Sequence, residues 1–397
     1  MKVAVIGAGI GGLAAALSLR RAGFAVEVYE QAAELTEVGG GINMGPNAAR
    51  ILYRLGLGPG LDRHGVRPAE TWARRWQDGR TLQKAPLNPL CEELFGAPHL
   101  TIHRRDLLAV IAAGLPAETI HLGHRLIGLE PGGDRTEAFF TNGARVTADV
   151  LVGADGIHST VREALFGAEA PRFAGCVAYR GLVPVERIAD LDLPVGSQSW
   201  LGPDAHLVHY FVSGGRLLNF VGWTEHDSWN REDWTDRATI KRALAAFEGW
   251  HSQVTRIIAA ADTCFIWALF DRDPLPRWSV GRVTLLGDAC HPMYPFMAQG
   301  AAQAIEDGAA LAACLAAAGA GDPTAALRHY ERRRLPRVTR LQQMSRANKH
   351  RYHMRDGPEQ EARDAEWARA ADRSPEALRW LFDFDPAAID ATEDAAS

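Results

Sequence analysis

Lys2-Val-Ala-Val-Ile-Gly7-Ala-Gly9-Ile-Gly-Gly12 opens the chain. The apolar run before Gly7 reads as a buried parallel strand. The glycines then allow a tight turn, close approach of backbone to a pyrophosphate, and close packing of the helix whose N-terminus draws the phosphates. Leu13 to Arg21 is rich in Ala and Leu, Gly23 suits a helix C-cap, and Ala25 to Tyr29 alternates toward a second strand. Glu30, 18 residues past Gly12, stands where a carboxylate accepts from ribose hydroxyls. Gly7, Gly9, Gly12 and Glu30 therefore define a dinucleotide site, without distinguishing a flavin from a nicotinamide nucleotide.

The 397 residues, 47% of them hydrophobic, suffice for two or so domains with a substantial core. The net charge of −5 is unevenly spread. Arg328 to Arg355 holds ten basic residues and one acid, and Asp356 to Ser397 holds twelve acids and four arginines. Apolar positions interrupt the basic run, so it reads as a solvated helix face neutralised by the acidic segment, with no nucleic-acid partner. Five scattered cysteines form no CxxC and no zinc spacing, which argues against disulfides and against a metal. No basic leader precedes the first strand, and no apolar run reaches the ~20 residues that span a bilayer. A soluble cytoplasmic protein without a membrane partner is expected.

Further along, Gly39-Gly-Gly-Ile-Asn43-Met-Gly-Pro46-Asn47 reads as a flexible loop before a helix over Asn47 to Leu55. Ile102-His-Arg104-Arg-Asp-Leu107 leads into a helix from Leu107 to Leu115. Short strands follow through Leu151. Val150-Leu-Val-Gly-Ala-Asp155-Gly156 is a second apolar strand ending in an Asp-Gly turn, with Ser159 and Arg162 beyond it. Val177 to Leu269 turns to β-rich alternation, broken by a helix over Ile240 to Phe247. A third apolar strand, Val283-Thr-Leu-Leu-Gly287-Asp288, precedes the loop His291-Pro-Met-Tyr-Pro295-Phe-Met-Ala-Gln299-Gly300 and a helix from about Ala301 to Ala317.

With Gly7-x-Gly9-x-x-Gly12 and Glu30, Arg104-x-x-Leu107, Asp155-Gly156-x-x-Ser159-x-x-Arg162, and Gly287-Asp288-x-x-His291-x-x-x-Pro295 in that order, the chain resembles the single-component FAD-dependent aromatic hydroxylases. That class includes salicylate hydroxylase, 3-hydroxybenzoate 6-hydroxylase and 6-hydroxynicotinate 3-monooxygenase, and the resemblance covers roughly residues 1 to 350. It implies an α/β fold, a Rossmann-like FAD-binding domain with a β-rich substrate domain inserted, plus C-terminal helices. The FAD-binding parts are then 1–72, 98–175 and 270–320, the substrate parts 73–97 and 176–269, and the C-terminal helices and acidic tail 321–397. It also implies noncovalent FAD, hydride from NADH or NADPH with NADH favoured, and a flavin C4a-hydroperoxide that oxygenates a hydroxybenzoate, salicylate or hydroxynicotinate. Gly9, Gly12, Glu30 and Arg104 would bind the ADP half of FAD, Asp288 the ribityl chain, and Asp155 and Arg162 both nucleotides. Pro295 and Gly300 would lie beside the isoalloxazine.

Electrophilic oxygen needs an electron-rich ring, and removing a phenol proton enriches the ortho and para carbons, so a general base belongs beside the substrate. His206, with an ordinary pKa near 6.5, is the candidate, and Tyr210 its hydrogen-bonding relay. On a strand His206, Val208 and Tyr210 share one face and Leu207, His209 and Phe211 the other, which makes His209 structural. Asn43, Arg180, His291, Phe296 and Met297 are the further substrate-facing candidates. Arg180 suits either a substrate carboxylate or a structural ion pair, and His291 either proton transfer or packing. The partners expected are a small aromatic substrate and O2, with the protein a monomer or homodimer. Two other readings are a halogenase-like or reductase-like flavoprotein of the same fold and a non-catalytic FAD redox sensor. Trp72-Ala-Arg-Arg-Trp76 lacks the halogenase spacing.

Overall fold

The computed structural model describes residues 1–35, 39–229, 237–319, 321–369 and 374–388. The last three acids of the tail, Asp390, Glu393 and Asp394, lie outside the described residues. The opening strand, Lys2–Ile6, pairs in parallel with Ala25–Tyr29 on one side and Val150–Gly153 on the other. Val283–Leu285 adds in parallel to Val150–Gly153, Ile120–His121 adds in parallel to Ala25–Tyr29, and Ser279–Val280 closes one edge antiparallel, giving six strands. Three apolar runs thus lie side by side, and their C-terminal ends carry the three glycine turns. Ligands in open parallel sheets bind at that edge.

Helix Ile10–Arg21 covers the sheet and packs on helix Gly300–Ala318 through small residues, Gly11 against Ala304 and Ala15 against Gly308, which lets two backbones approach closely. Gly300–Ala318 is long and apolar enough by composition to cross a membrane, contrary to the expectation that no run is. It is a core helix, with two thirds of its apolar window buried in the fold.

The second sheet has eight strands, in the order Arg237–Ala238, Cys264–Asp271, Arg172–Pro184, Leu217–Glu225, Ala205–Val212, Gly196–Gly202, Glu70–Arg75 and Thr81–Pro86. It is antiparallel except where Gly196–Gly202 runs parallel to Glu70–Arg75. Its strands begin at Glu70 and Arg172, a few residues ahead of the boundaries read from the sequence. One face packs Trp200, Leu207 and Phe220 on Phe247 and Trp250, below helices Ile240–Ala246 and Ser252–Ala259. The second of these helices was hidden in the β-rich alternation. The other face looks toward the glycine turns.

Helix Arg104–Ala112 starts three residues earlier than expected, directly after strand Leu100–His103, with Asp106 in its first turn favouring the helix dipole. The basic run forms helix Pro323–Tyr352, and it is not a purely solvated face. Arg334 is fully buried, donating to Glu306 and Asp307 of helix Gly300–Ala318, and Arg337 also donates to Glu306. Arg346 reaches Asp271 and Asp273, while His350 and Arg351 meet Glu359 and Glu366 of the acidic segment and Arg333 and Arg337 donate to its backbone carbonyls.

Candidate active site

A cavity of about 760 Å³ lies between the glycine turns and the open face of the eight-stranded sheet. Gly9 and Gly11 from the first turn, Gly156 from the second, Gly287 and Asp288 from the third, and Gly300 at a helix N-terminus line one end. Asp288 is exposed there while Gly287 and Ala289 on either side are buried. A Cβ on Gly12 would stand 2.0 Å from the carbonyl oxygen of Gly7, so only glycine lets the helix start this close to the turn. At Gly9, by contrast, nothing lies within 4 Å of where a Cβ would be, leaving room for a ligand against the helix N-terminus.

Gly7, Gly12, Glu30, Asp155, Arg162 and His291 do not line the cavity; they build its wall. Glu30 accepts from the N–H groups of Ala8 and Ala32 and so fixes the glycine turn. Asp155 accepts from Ser159 Oγ and the Val161 N–H, holding the start of helix Thr160–Phe166. The Arg162 guanidinium donates to the carbonyls of Ile157 and Ala289, tying the second turn to the third. The placement of His291 beside the substrate is corrected. The turn carries its ring into the core, where Nε2 meets Asp307 at 2.6 Å and the ring tilts against Trp278. Burial alone would push the Asp307 carboxyl up, but His291 and Arg334 override it and hold it at about 2.

At the other end, His206, Val208 and Tyr210 face the cavity, whereas Leu207 and Phe211 join the core and His209 accepts from Trp200 Nε1. The alternation of one strand separates the two sets. The start of strand Gly41–Met44 presses on this face: a Cβ on Gly41 would meet Tyr210 at 2.4 Å, and its N–H donates to Asn219. Arg180 lies 3.6 Å over the Trp267 ring, inside the cavity. Phe296 packs edge-on to His206 and to Trp223, and Met297 Sδ accepts from Asn348. Asn43, Arg104 and Pro295 also line the cavity.

Burial first, then the neighbouring His353, pushes His206 well below the ordinary histidine range. Its expected titration near neutrality is therefore corrected: a buried imidazole without an adjacent carboxylate does not hold a charge of its own. Burial likewise holds the Tyr210 phenol well above its usual range, only partly offset by Arg180. Several lining residues escaped the sequence reading. His99, whose Nε2 lies 3.3 Å from Asn43 Oδ1, is pushed down to about 4 by burial. Trp223, Trp267, Tyr352, Trp367 and Phe382 arrive from distant segments, and nothing local in the sequence brings them together.

The FAD binding domain family matches residues 1–345. The 3-amino-4-hydroxybenzoate 2-monooxygenase of Streptomyces platensis is 42% identical over 98% of this chain and 97% of its own. The 6-hydroxynicotinate 3-monooxygenase of Pseudomonas fluorescens is 40% identical over 87% and 91%. The crystal structure of Klebsiella pneumoniae HpxO complexed with FAD and uric acid superposes with a TM-score of 0.85 at 29% identity, covering 96% of each chain. The fold and site define a flavoprotein, and the chain belongs to the FAD binding domain family as an FAD-dependent aromatic monooxygenase.

Proposed function

We propose that the chain hydroxylates a small aromatic acid carrying a ring hydroxyl, using NADH or NADPH and O2 in the cytoplasm, with aminohydroxybenzoates and hydroxybenzoates ahead of hydroxynicotinates. The observation that carries this reading is the pairing of His206 and Tyr210 on one strand face, in the same cavity as the glycine turns and Asp288. The residues fit FAD. The open space at Gly9, two helix N-termini and the exposed Asp288 offer donors for phosphates and an acceptor for ribityl hydroxyls. FAD supplies the transfer of electrons from nicotinamide to oxygen and the delivery of one oxygen atom to the ring.

The protein's part is to bind and prepare the substrate. His206 accepts the ring-hydroxyl proton at Nε2, the nitrogen left to the cavity once Nδ1 is bonded to His353. Tyr210, kept protonated by burial, donates to the resulting phenolate. Arg180, steadied on Trp267, faces the substrate carboxylate. Phe296, Trp223 and Tyr352 keep water from the ring. The strands Glu70–Arg75 and Thr81–Pro86 with those from Arg172 to Asp271 form the substrate part, and the six-stranded sheet with its helices the FAD part.

The test is NADH oxidation by the FAD-loaded protein across 3-amino-4-hydroxybenzoate, 3-hydroxybenzoate, salicylate and 6-hydroxynicotinate, with hydroxylated product quantified. Oxidation stimulated by one ring and matched by product supports the reading. Stimulation by none of them refutes it.

A further inference from the structure

We propose that His353, the residue capping the long helix, and Glu225 extend His206 into a proton relay that carries the substrate's proton from the cavity to the surface. The inference rests on the reading of His206 as the group that takes that proton.

The three side chains come from separate elements and meet in sequence. His206 Nδ1 lies 2.7 Å from His353 Nε2, and His353 Nδ1 lies 2.6 Å from Glu225 Oε1. Side-chain exposure rises outward, from 3% at His353 to 35% at Glu225, with His206 itself buried. Backbone contacts hold the alignment. The Asp204 N–H donates to the His353 carbonyl, and the His353 N–H donates to the carbonyls of Lys349 and His350, so the end of the long helix is fixed against the turn between two sheet strands. Phe296, Tyr352 and Trp223 pack around the His206 ring.

The chemistry needs this extension. A fully buried imidazole is a poor resting place for a proton, and a phenol gives one up in the cavity only if the positive charge settles elsewhere. Glu225 offers that place. Burial would push its carboxyl up, but His353 and Lys349 pull it below the usual range, so it stands ionised beside His353. The other ionisable side chains beside His353 have partners: Lys349 with Glu225, Arg355 with Asp204, Arg351 with Glu366 and His350 with Glu359. In the resting state His353 Nδ1–H donates to Glu225 and His206 Nδ1–H donates to His353 Nε2. The substrate O–H bond breaks as His206 Nε2–H forms, and His206 Nδ1–H breaks as His353 Nε2–H forms. His206 ends neutral with Nε2–H donating to the phenolate, and the imidazolium of His353 sits against Glu225. The proton then leaves from His353 Nδ1 to water past Glu225, and the relay resets by the reverse hops when the product's phenolate oxygen takes a proton back from His206 Nε2 and His353 Nδ1 is reprotonated from water past Glu225.

The experiment uses the oxidised, FAD-loaded enzyme and 4-hydroxy-3-nitrobenzoate, a chromophoric phenol, whose ionisation in the cavity is read by absorbance against pH without turnover. His353→Gln is expected to raise the ionisation midpoint of the bound phenol by about one pH unit, a tenfold change in the equilibrium. It is also expected to lower kcat about tenfold at neutral pH while KM moves less than about threefold. Glu225→Gln, half exposed and conservative, is expected to shift both in the same direction, and serves alone if the His353 variant does not fold. Midpoints and kcat unchanged in these variants while His206→Gln shifts them would overturn the relay and leave His206 as the base. No shift in His206→Gln would sink the reading on which the relay rests.

Discussion

Tyr210 shows how burial selects a role. A phenol held above its usual range by desolvation donates a hydrogen bond across the working pH range, and it does not take a proton. Tyr210→Phe should therefore lower kcat by about tenfold to a hundredfold with FAD content unchanged, measured as hydroxylated product per enzyme. The strand period alone places Tyr210 and His206 on one face and His209 on the other, because a two-residue repeat needs no distant information. Arg334 was not legible in that way. It sits in a run that reads as solvated, yet it is buried between Glu306 and Asp307. Arg334→Met leaves those carboxylates without their main cation and is expected to cost about 3–5 kcal/mol of stability, read as a lower denaturation midpoint.

At the scale of elements, the three strand-turn units were visible as apolar runs ending in glycine, and their parallel pairing follows from that shared pattern. What closes the cavity was not visible. The short helices Pro375–Leu378 and Arg379–Phe382 form part of its wall. They are held there by Arg337, which donates to the carbonyls of Trp380 and Leu381, and by Arg50, which donates to that of Phe384. Phe382 meets Phe95 edge-on and lies where a Cβ on Gly45 would stand at 2.7 Å. Phe382→Ala should cost about 3 kcal/mol. Opening the wall to water should also raise substrate KM and divert NADH oxidation to hydrogen peroxide, so the ratio of product to NADH consumed is the measurement. An unchanged ratio would mean that the C-terminal helices do not seal the site.

For the whole molecule, three imidazoles are buried in forms that resist protonation: His99 near 4, His209 near 3 and His206 well below its usual range. A depressed folded pKa means that the unfolded chain binds more protons as pH falls. The stability these groups lend is fully present above the unfolded value near 6.5 and is lost as pH drops toward the folded values. Each contributes a slope of about 1.4 kcal/mol per pH unit. The thermal midpoint of the FAD-loaded protein should hold above about pH 7 and fall steeply between about pH 6 and 4. Asp307 adds a further loss below about pH 4. A flat midpoint across that range would show that these histidines are protonated in the folded state.

The dinucleotide-binding unit, the three glycine turns and the face on which His206 and Tyr210 stand follow from the chain's local pattern. Those features depend on residues within one strand, turn or helix of each other, where steric and periodic rules act. Only long-range packing makes Asp155, Arg162 and Glu30 brace the wall, turns His291 inward to Asp307, and brings His353 to His206 across 147 positions of chain. Such contacts depend on where burial strips water from a polar group and which distant partner replaces it, and a linear pattern carries no record of that exchange.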